Sequence, residues 1–233
     1  QSIGKPRTAR SSRSEVVSLF SGCGGMDLGF KGGFDFLEQR YSKLPFEITW
    51  ANELNSAACR TYRRNIGAHV REGDIWTMLD SLPVKADVVI GGFPCQDISV
   101  NGKGAGVAGK RSGLYRAMVE VVKQLRPKVF VAENVKGLLM KHQSAALHAV
   151  ITDFRALGYN VTYNLYHAAD YGVPQTRERV FIVGTLPTVK NFVHPSPILK
   201  RNNYITAREA LDDLVNLDED EAINHTRNKG TGG

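Results

Sequence analysis

Residues 86–99 read ADVVIGGFPCQDIS. An apolar run, Val88-Val89-Ile90, leads into two glycines, Phe93, the pair Pro94-Cys95 and then a polar stretch. So short and continuous an apolar run suits a strand covered on both faces, as parallel strands in α/β proteins are. A cysteine just past such a strand stands where open α/β sheets bind ligands, outside the carboxyl ends of their strands. A core cysteine has no use for the flanking glycines and proline. A nucleophile does, because Pro94 fixes one backbone torsion and so aims the thiol.

The pattern recurs on both sides of this stretch. Strands are predicted over 15–20, 46–51, 68–72, 86–91 and 129–133, with helices over 26–41, 55–65, 76–81 and 113–125 between them. This alternation predicts an α/β fold with an open, doubly wound, mostly parallel sheet. A further helix over 143–157 precedes strands over 160–167 and 179–184. The short connection between those two predicts an antiparallel hairpin at one edge. From about residue 186 two nearby prolines and the loss of period mark an extension. A helix over 206–214 carries a capping box, Thr206 with Glu209 three residues on. An acidic run at 218–221 and a Gly-rich end follow. The expected organisation is a basic flexible tail over 1–14, a catalytic domain over 15–185 and a linker or extension over 186–233.

Composition narrows the partners. The 233 residues carry a formal net charge of +7 and a pI of about 9.4, which favours an anionic partner, nucleic acid first. Three cysteines without a CxxC pair argue against a disulfide framework and against a zinc site, and point to a reducing, intracellular setting. No apolar run approaches the length of a membrane span, and the N-terminus lacks the apolar core of a secretory signal.

Candidate site residues fall at successive strand ends. The first strand runs into FSGCGGMDLGF, residues 20–30, where Gly22, Gly24, Gly25 and Gly29 let backbone amides approach a ligand beside a helix start. Glu53 follows the second strand, where a carboxylate can accept from both ribose hydroxyls. Asp74 follows the third and can accept from an adenine amino group or cap a helix. Together they suggest an adenosine-containing cofactor, and the absence of GxxxxGK[ST] argues against a nucleoside triphosphate. Cys95 and Glu133 end the fourth and fifth strands, a thiolate for an electron-poor carbon and a carboxyl group to serve the ring under attack. In QTRERVF, residues 175–181, Gln175, Arg177 and Arg179 alternate. On a strand they would share one face and present two fixed cations and an amide.

FSGCGGMDLGF, Glu53, GDI at 73–75, GGFPCQDIS, ENV at 133–135 and QTRERV resemble, in order, motifs of the DNA (cytosine-5) methyltransferases. The likeness runs from about Val16 to Gly184, and PCQ with ENV and QxRxR is its specific part. The resemblance implies a Rossmann-like methyltransferase fold and S-adenosyl-L-methionine as cofactor. It implies that Phe20 lies against the adenine and that Ser21, Gly22, Gly24 and Gly25 surround the methionine part. Glu53 and Leu54 would hold the ribose side, Asp74 and Ile75 the adenine edge, with Pro94 beside them. The substrate implied is a cytosine flipped from double-stranded DNA. Cys95 would add to ring carbon 6 while Glu133 serves ring nitrogen 3, and Arg177 and Arg179 would orient the base. Gln96, Ser99, Lys103 and Gln175 would contact DNA, with Ser99 and Lys103 in a Gly-rich lid over 97–113.

The family's target-recognition region and its later RxLxxxE and GNxV-like motifs do not follow Gly184. The expectation is therefore a split enzyme or a fragment, with a second polypeptide supplying the missing part. A bacterial cytoplasmic, nucleoid-associated setting and a restriction-modification context go with the family. An RNA methyltransferase of the same fold and a non-catalytic binding module are the alternatives.

Overall fold

The computed structural model describes residues 13–37, 39–94 and 113–212. The expected N-terminal tail, the lid and the acidic C-terminal run lie outside these residues, apart from the tail's last two positions and Gly113. The described residues fall into two compact units, one within 1–165 and 179–194 and the other within 166–178 and 195–233.

The first unit is built on a seven-stranded sheet. Its strands are β1 (Ser14–Leu19), β4 (Phe46–Glu53), β5 (Val70–Glu72), β6 (Val88–Gly91), β7 (Val129–Val135), β8 (Asn160–His167) and β9 (Glu178–Thr185), in the order β5-β4-β1-β6-β7-β9-β8. A separate two-stranded hairpin pairs β2 (Asp35–Phe36) with β3 (Gln39–Arg40). β1 pairs parallel with β4 and β6, β4 with β5, and β6 with β7. The carboxyl ends of these five strands therefore share one edge. β9 runs antiparallel to β7, so its first residues return to that edge, with Arg179 opposite Val135 and Phe181 opposite Glu133.

Continuous apolar runs are needed because both faces are covered. Val17, Leu19, Trp50, Val89, Phe130 and Ala132 pack with helices α3 (Leu114–Leu125) and α4 (Ser144–Ala156) on one face. Val16, Ile48, Ala51, Val88 and Ile90 pack with α1 (Gly25–Lys31) and α2 (Ser56–Asn65) on the other. Neighbouring residues of one strand thus serve opposite cores.

Two helices differ from expectation. The helix predicted over 26–41 stops at Lys31. Gly32 and Gly33 hold φ values of 58° and 76°, and a Cβ at Gly32 would lie 2.2 Å from the Ser42 carbonyl oxygen. The segment predicted as a helix over 76–81 forms two 3-10 turns, Ile75–Thr77 and Leu79–Ser81.

In the second unit the capping box at Thr206 and Glu209 forms as expected and starts α5 (Ala207–Leu211). Asp170 anchors this unit. Its backbone carbonyl accepts from the amides of Ile198 and Leu199, and its carboxylate accepts from the Tyr204 hydroxyl.

Candidate active site

The glycine loop leaves β1 through a strained turn. Phe20 has a φ of 53°, unusual for a residue with a side chain, and Gly22 and Gly24 follow at 56° and 89°. The Ser21 amide donates to the Asn52 carbonyl (3.0 Å), which ties the loop to the neighbouring strand β4. Ser21 Oγ is buried without a hydrogen-bond partner, and a Cβ at Gly22 or Gly25 would meet open space. The loop thus presents small residues to a region where a ligand can approach closely, and it holds one buried polar atom without a partner.

Glu53 ends β4 beside this loop. Its Oε2 accepts from the Gly22 amide (2.8 Å) and its Oε1 from the Asn55 amide (2.8 Å). One carboxylate thus joins the loop to the start of α2, where Asn55 caps the helix. Leu54 is 69% exposed, a large apolar side chain left next to the carboxylate. Asp74 accepts from the Trp76 amide (2.9 Å) and so caps the first 3-10 turn, while Ile75 is buried beneath it. Asn52 holds this third strand end in place by donating to the Gly73 carbonyl (2.9 Å).

The fourth and fifth strand ends meet at Gly92. A Cβ there would lie 2.9 Å from Glu133 Oε2, so glycine lets the carboxylate stand against this backbone without a shift. Asn134, on the opposite face of β7, donates to the Phe93 carbonyl (2.8 Å), a buried bond that fixes the chain one residue before Pro94. Pro94 is exposed. Glu133 Oε1 also pairs with Arg179 Nε at 2.8 Å, with side chains 20% and 26% exposed. Partial burial makes this pair better defined than a surface ion pair.

The structure therefore brings the glycine loop, Glu53, Asp74, Pro94, Glu133 and Arg179 to one sheet edge. Cys95, Gln96, Ser99 and Lys103 lie outside the described residues. Gln175 and Arg177 do not share a strand face with Arg179, because β9 begins only at Glu178. The Gln175 amide donates to the Val173 carbonyl (2.7 Å), a turn too tight for extended backbone, and Pro174 between them has no N–H to pair. Both residues belong to the second unit, and Arg177 is exposed there.

Sequence reasoning missed Gly92, Asn52 and Asn134 as site supports. The second glycine of GGFP and the Asn of ENV were readable as motif letters, but their partners lie in other elements. Among the described residues, no group of three or more His, Cys, Asp or Glu side chains could hold a metal ion, and no helix is long and apolar enough to cross a membrane.

A profile of C-5 cytosine-specific DNA methylases matches residues 14–232. The chain belongs to this family. M.NgoFVII of Neisseria gonorrhoeae, a Type II methyltransferase, is 42% identical over 213 residues, covering 88% of this chain and 54% of that protein. The Type II methyltransferase M.FnuDI of Fusobacterium nucleatum is 40% identical over 189 residues, covering 80% and 52%. The chain thus spans about half the length of these relatives. M.AquIA of Picosynechococcus, also a Type II methyltransferase, is 38% identical, with 78% of this chain and 76% of that protein covered. The same fold occurs in S. pombe Dnmt2 methyltransferase, with a TM-score of 0.52 at 21% identity, over 77% of this chain and 51% of that one.

Proposed function

We propose that this chain carries the chemistry of methyl transfer from S-adenosyl-L-methionine to carbon 5 of cytosine in double-stranded DNA. The observation that carries the reading is the Gly92–Glu133–Arg179 arrangement. It puts a carboxylate against the backbone two residues before Pro94-Cys95 and holds it there through a guanidinium. Family membership and the strand-end order of the other residues support it.

The residues present fit the cofactor. Ser21, Gly22, Gly24 and Gly25 can receive the methionine part, Glu53 and Leu54 the ribose side, and Asp74 and Ile75 the adenine edge, with Phe20 against its face. When bound, S-adenosyl-L-methionine supplies an electrophilic methyl group. Each Glu53 oxygen accepts from one backbone amide, of Gly22 or of Asn55, and keeps further acceptor capacity for a ribose hydroxyl.

On the substrate side, Cys95 adds to carbon 6 of a base flipped from the stack, since stacking blocks the ring faces. Glu133 hydrogen-bonds or protonates nitrogen 3, drawing electrons from the ring as the thiolate attacks and making carbon 5 nucleophilic. Arg179 fixes the Glu133 carboxylate and so helps to orient the base and to stabilise developing negative charge. Loss of the carbon-5 proton and of Cys95 restores the ring. Gln96, Ser99, Lys103 and Gln175 contact the DNA. Target recognition is assigned to the remaining length of the relatives, supplied by the same polypeptide or by a second one.

The test is transfer of labelled methyl to unmethylated duplex DNA and, in parallel, to tRNA. We expect 5-methylcytosine in the duplex, and a rate for Glu133→Gln lower by about 10²–10⁴-fold. Transfer to tRNA alone, or methylation at an exocyclic nitrogen, overturns the reading.

A further inference from the structure

Two carboxylates bracket the glycine loop, Glu53 from the partly exposed edge and Asp27 from beneath. Asp27 sits in the first turn of α1 and is fully buried. Its Oδ2 accepts from Ser18 Oγ on β1 (3.0 Å) and its Oδ1 from the Tyr62 hydroxyl on α2 (2.7 Å). Tyr62 is also fully buried, and its hydroxyl lies 2.9 Å from His69 Nε2.

The ring of Tyr62 has a second contact. A Cβ at Gly24 would lie 3.0 Å from Tyr62 Cδ2 and 3.1 Å from Cε2, and 2.4 Å from Cγ1 of Ile66. The loop therefore rests on the aromatic ring at Gly24, while the hydroxyl of the same ring tethers Asp27, three residues further along the chain. An apolar contact between α1 and α2 would be cheaper in free energy, because burying a carboxyl group costs several kcal/mol before its hydrogen bonds offset it. What a polar tether adds is direction: it fixes the loop's distance from α2, which a smooth apolar surface does not.

We propose that Tyr62 is a positioning residue for the cofactor loop, its ring setting the height of Gly24 and its hydroxyl holding Asp27. This rests on the reading of residues 20–25 as the cofactor loop. Burial pushes the Asp27 carboxyl and the Tyr62 hydroxyl up, and at Asp27 the bonds from Tyr62 and Ser18 oppose that rise. Removing the Tyr62 hydroxyl leaves a buried acid with one donor fewer and frees the first turn of α1 to shift.

Tyr62→Phe keeps the ring and removes only the tether. In the intact protein we expect the KM and the directly measured dissociation constant for S-adenosyl-L-methionine to rise about tenfold. The kcat and the KM for duplex DNA stay within about twofold. Ser18→Ala removes the other donor without touching Gly24, gives a smaller rise in the same constants, and carries the test if Tyr62→Phe does not fold. Asp27→Asn keeps an acceptor for Tyr62 and a partner for Ser18, and retains most of the affinity. An unchanged cofactor constant in both donor variants overturns the inference. So does a parallel loss of kcat, both KM values and melting temperature, the pattern of a purely structural residue. If the parent protein binds the cofactor without transferring methyl, the proposed function fails while the dissociation constants still decide the role of Tyr62.

Discussion

At Gly92 one missing methyl group decides where the Glu133 carboxylate stands. Gly92→Ala would place a Cβ 2.9 Å from Glu133 Oε2, and the carboxylate, already tied to Arg179, would have to turn away from the backbone before Cys95. We expect a kcat lower by about 100-fold, the scale of effect that a displacement of roughly 1 Å produces, with the melting temperature little changed. Steady-state kinetics alongside a thermal melt checks this. At this scale the sequence was informative about which residue types matter and silent about how they are held. Glu53, Glu133 and Arg179 were readable from motif letters. That Glu53 bridges two backbone amides was not, because those bonds depend on the close approach of the Gly22 loop to the start of α2.

At the scale of elements, close packing explains which substitutions the fold refuses. Gly184 on β9 sits against the buried ring of Phe130, and a Cβ there would lie 2.0 Å from Cε1. Phe130 is itself stacked on Phe154 with ring centroids 4.0 Å apart, so it cannot move aside. Gly184→Ala should therefore destabilise the protein by about 1–3 kcal/mol, read from a denaturant midpoint, with the cofactor and base residues untouched. The strands of the parallel sheet were legible because each is a continuous apolar run that must be covered on two faces. Legibility failed where the backbone rather than hydrophobicity decides. Gly32 and Gly33 end α1 ten residues early and release a hairpin too short for any period to show. The strand expected over 179–184 forms as β9, but the alternation of Gln175, Arg177 and Arg179 does not give a shared face, because Pro174 and the tight turn at Gln175 keep the first two out of the strand.

For the molecule as a whole, the acid side of its stability is set partly by the ion pair that joins the start of β6 to β7. Asp87 accepts from Lys128 Nζ (2.8 Å) and from the Glu15 amide (3.0 Å), and these bonds hold its carboxyl below the usual range, while Asp87 raises Lys128. A lowered folded-state value for an acid means that its contribution is present above the unfolded pKa of about 3.9 and is lost as pH falls through the folded value. The raised lysine contributes below about pH 10.4 and loses that contribution as pH rises past it. The expected profile is a plateau between these limits with an acid fall below about pH 4. Lys128→Met should make that fall shallower, and melting temperature against pH checks it. The net charge of +7 fits a polyanionic substrate at the same scale, and DNA affinity should weaken as salt is raised.

The proposed chemistry turns on a covalent bond between Cys95 and the target cytosine. It is tested most directly with the intact protein, S-adenosyl-L-methionine and a duplex carrying 5-fluorocytosine at the target position, resolved on a denaturing gel. Fluorine cannot leave as a proton does, so the adduct is expected to persist as a protein–DNA band that disappears in Cys95→Ala. A band that survives in Cys95→Ala, or no band from a protein that methylates the ordinary duplex, would contradict the account.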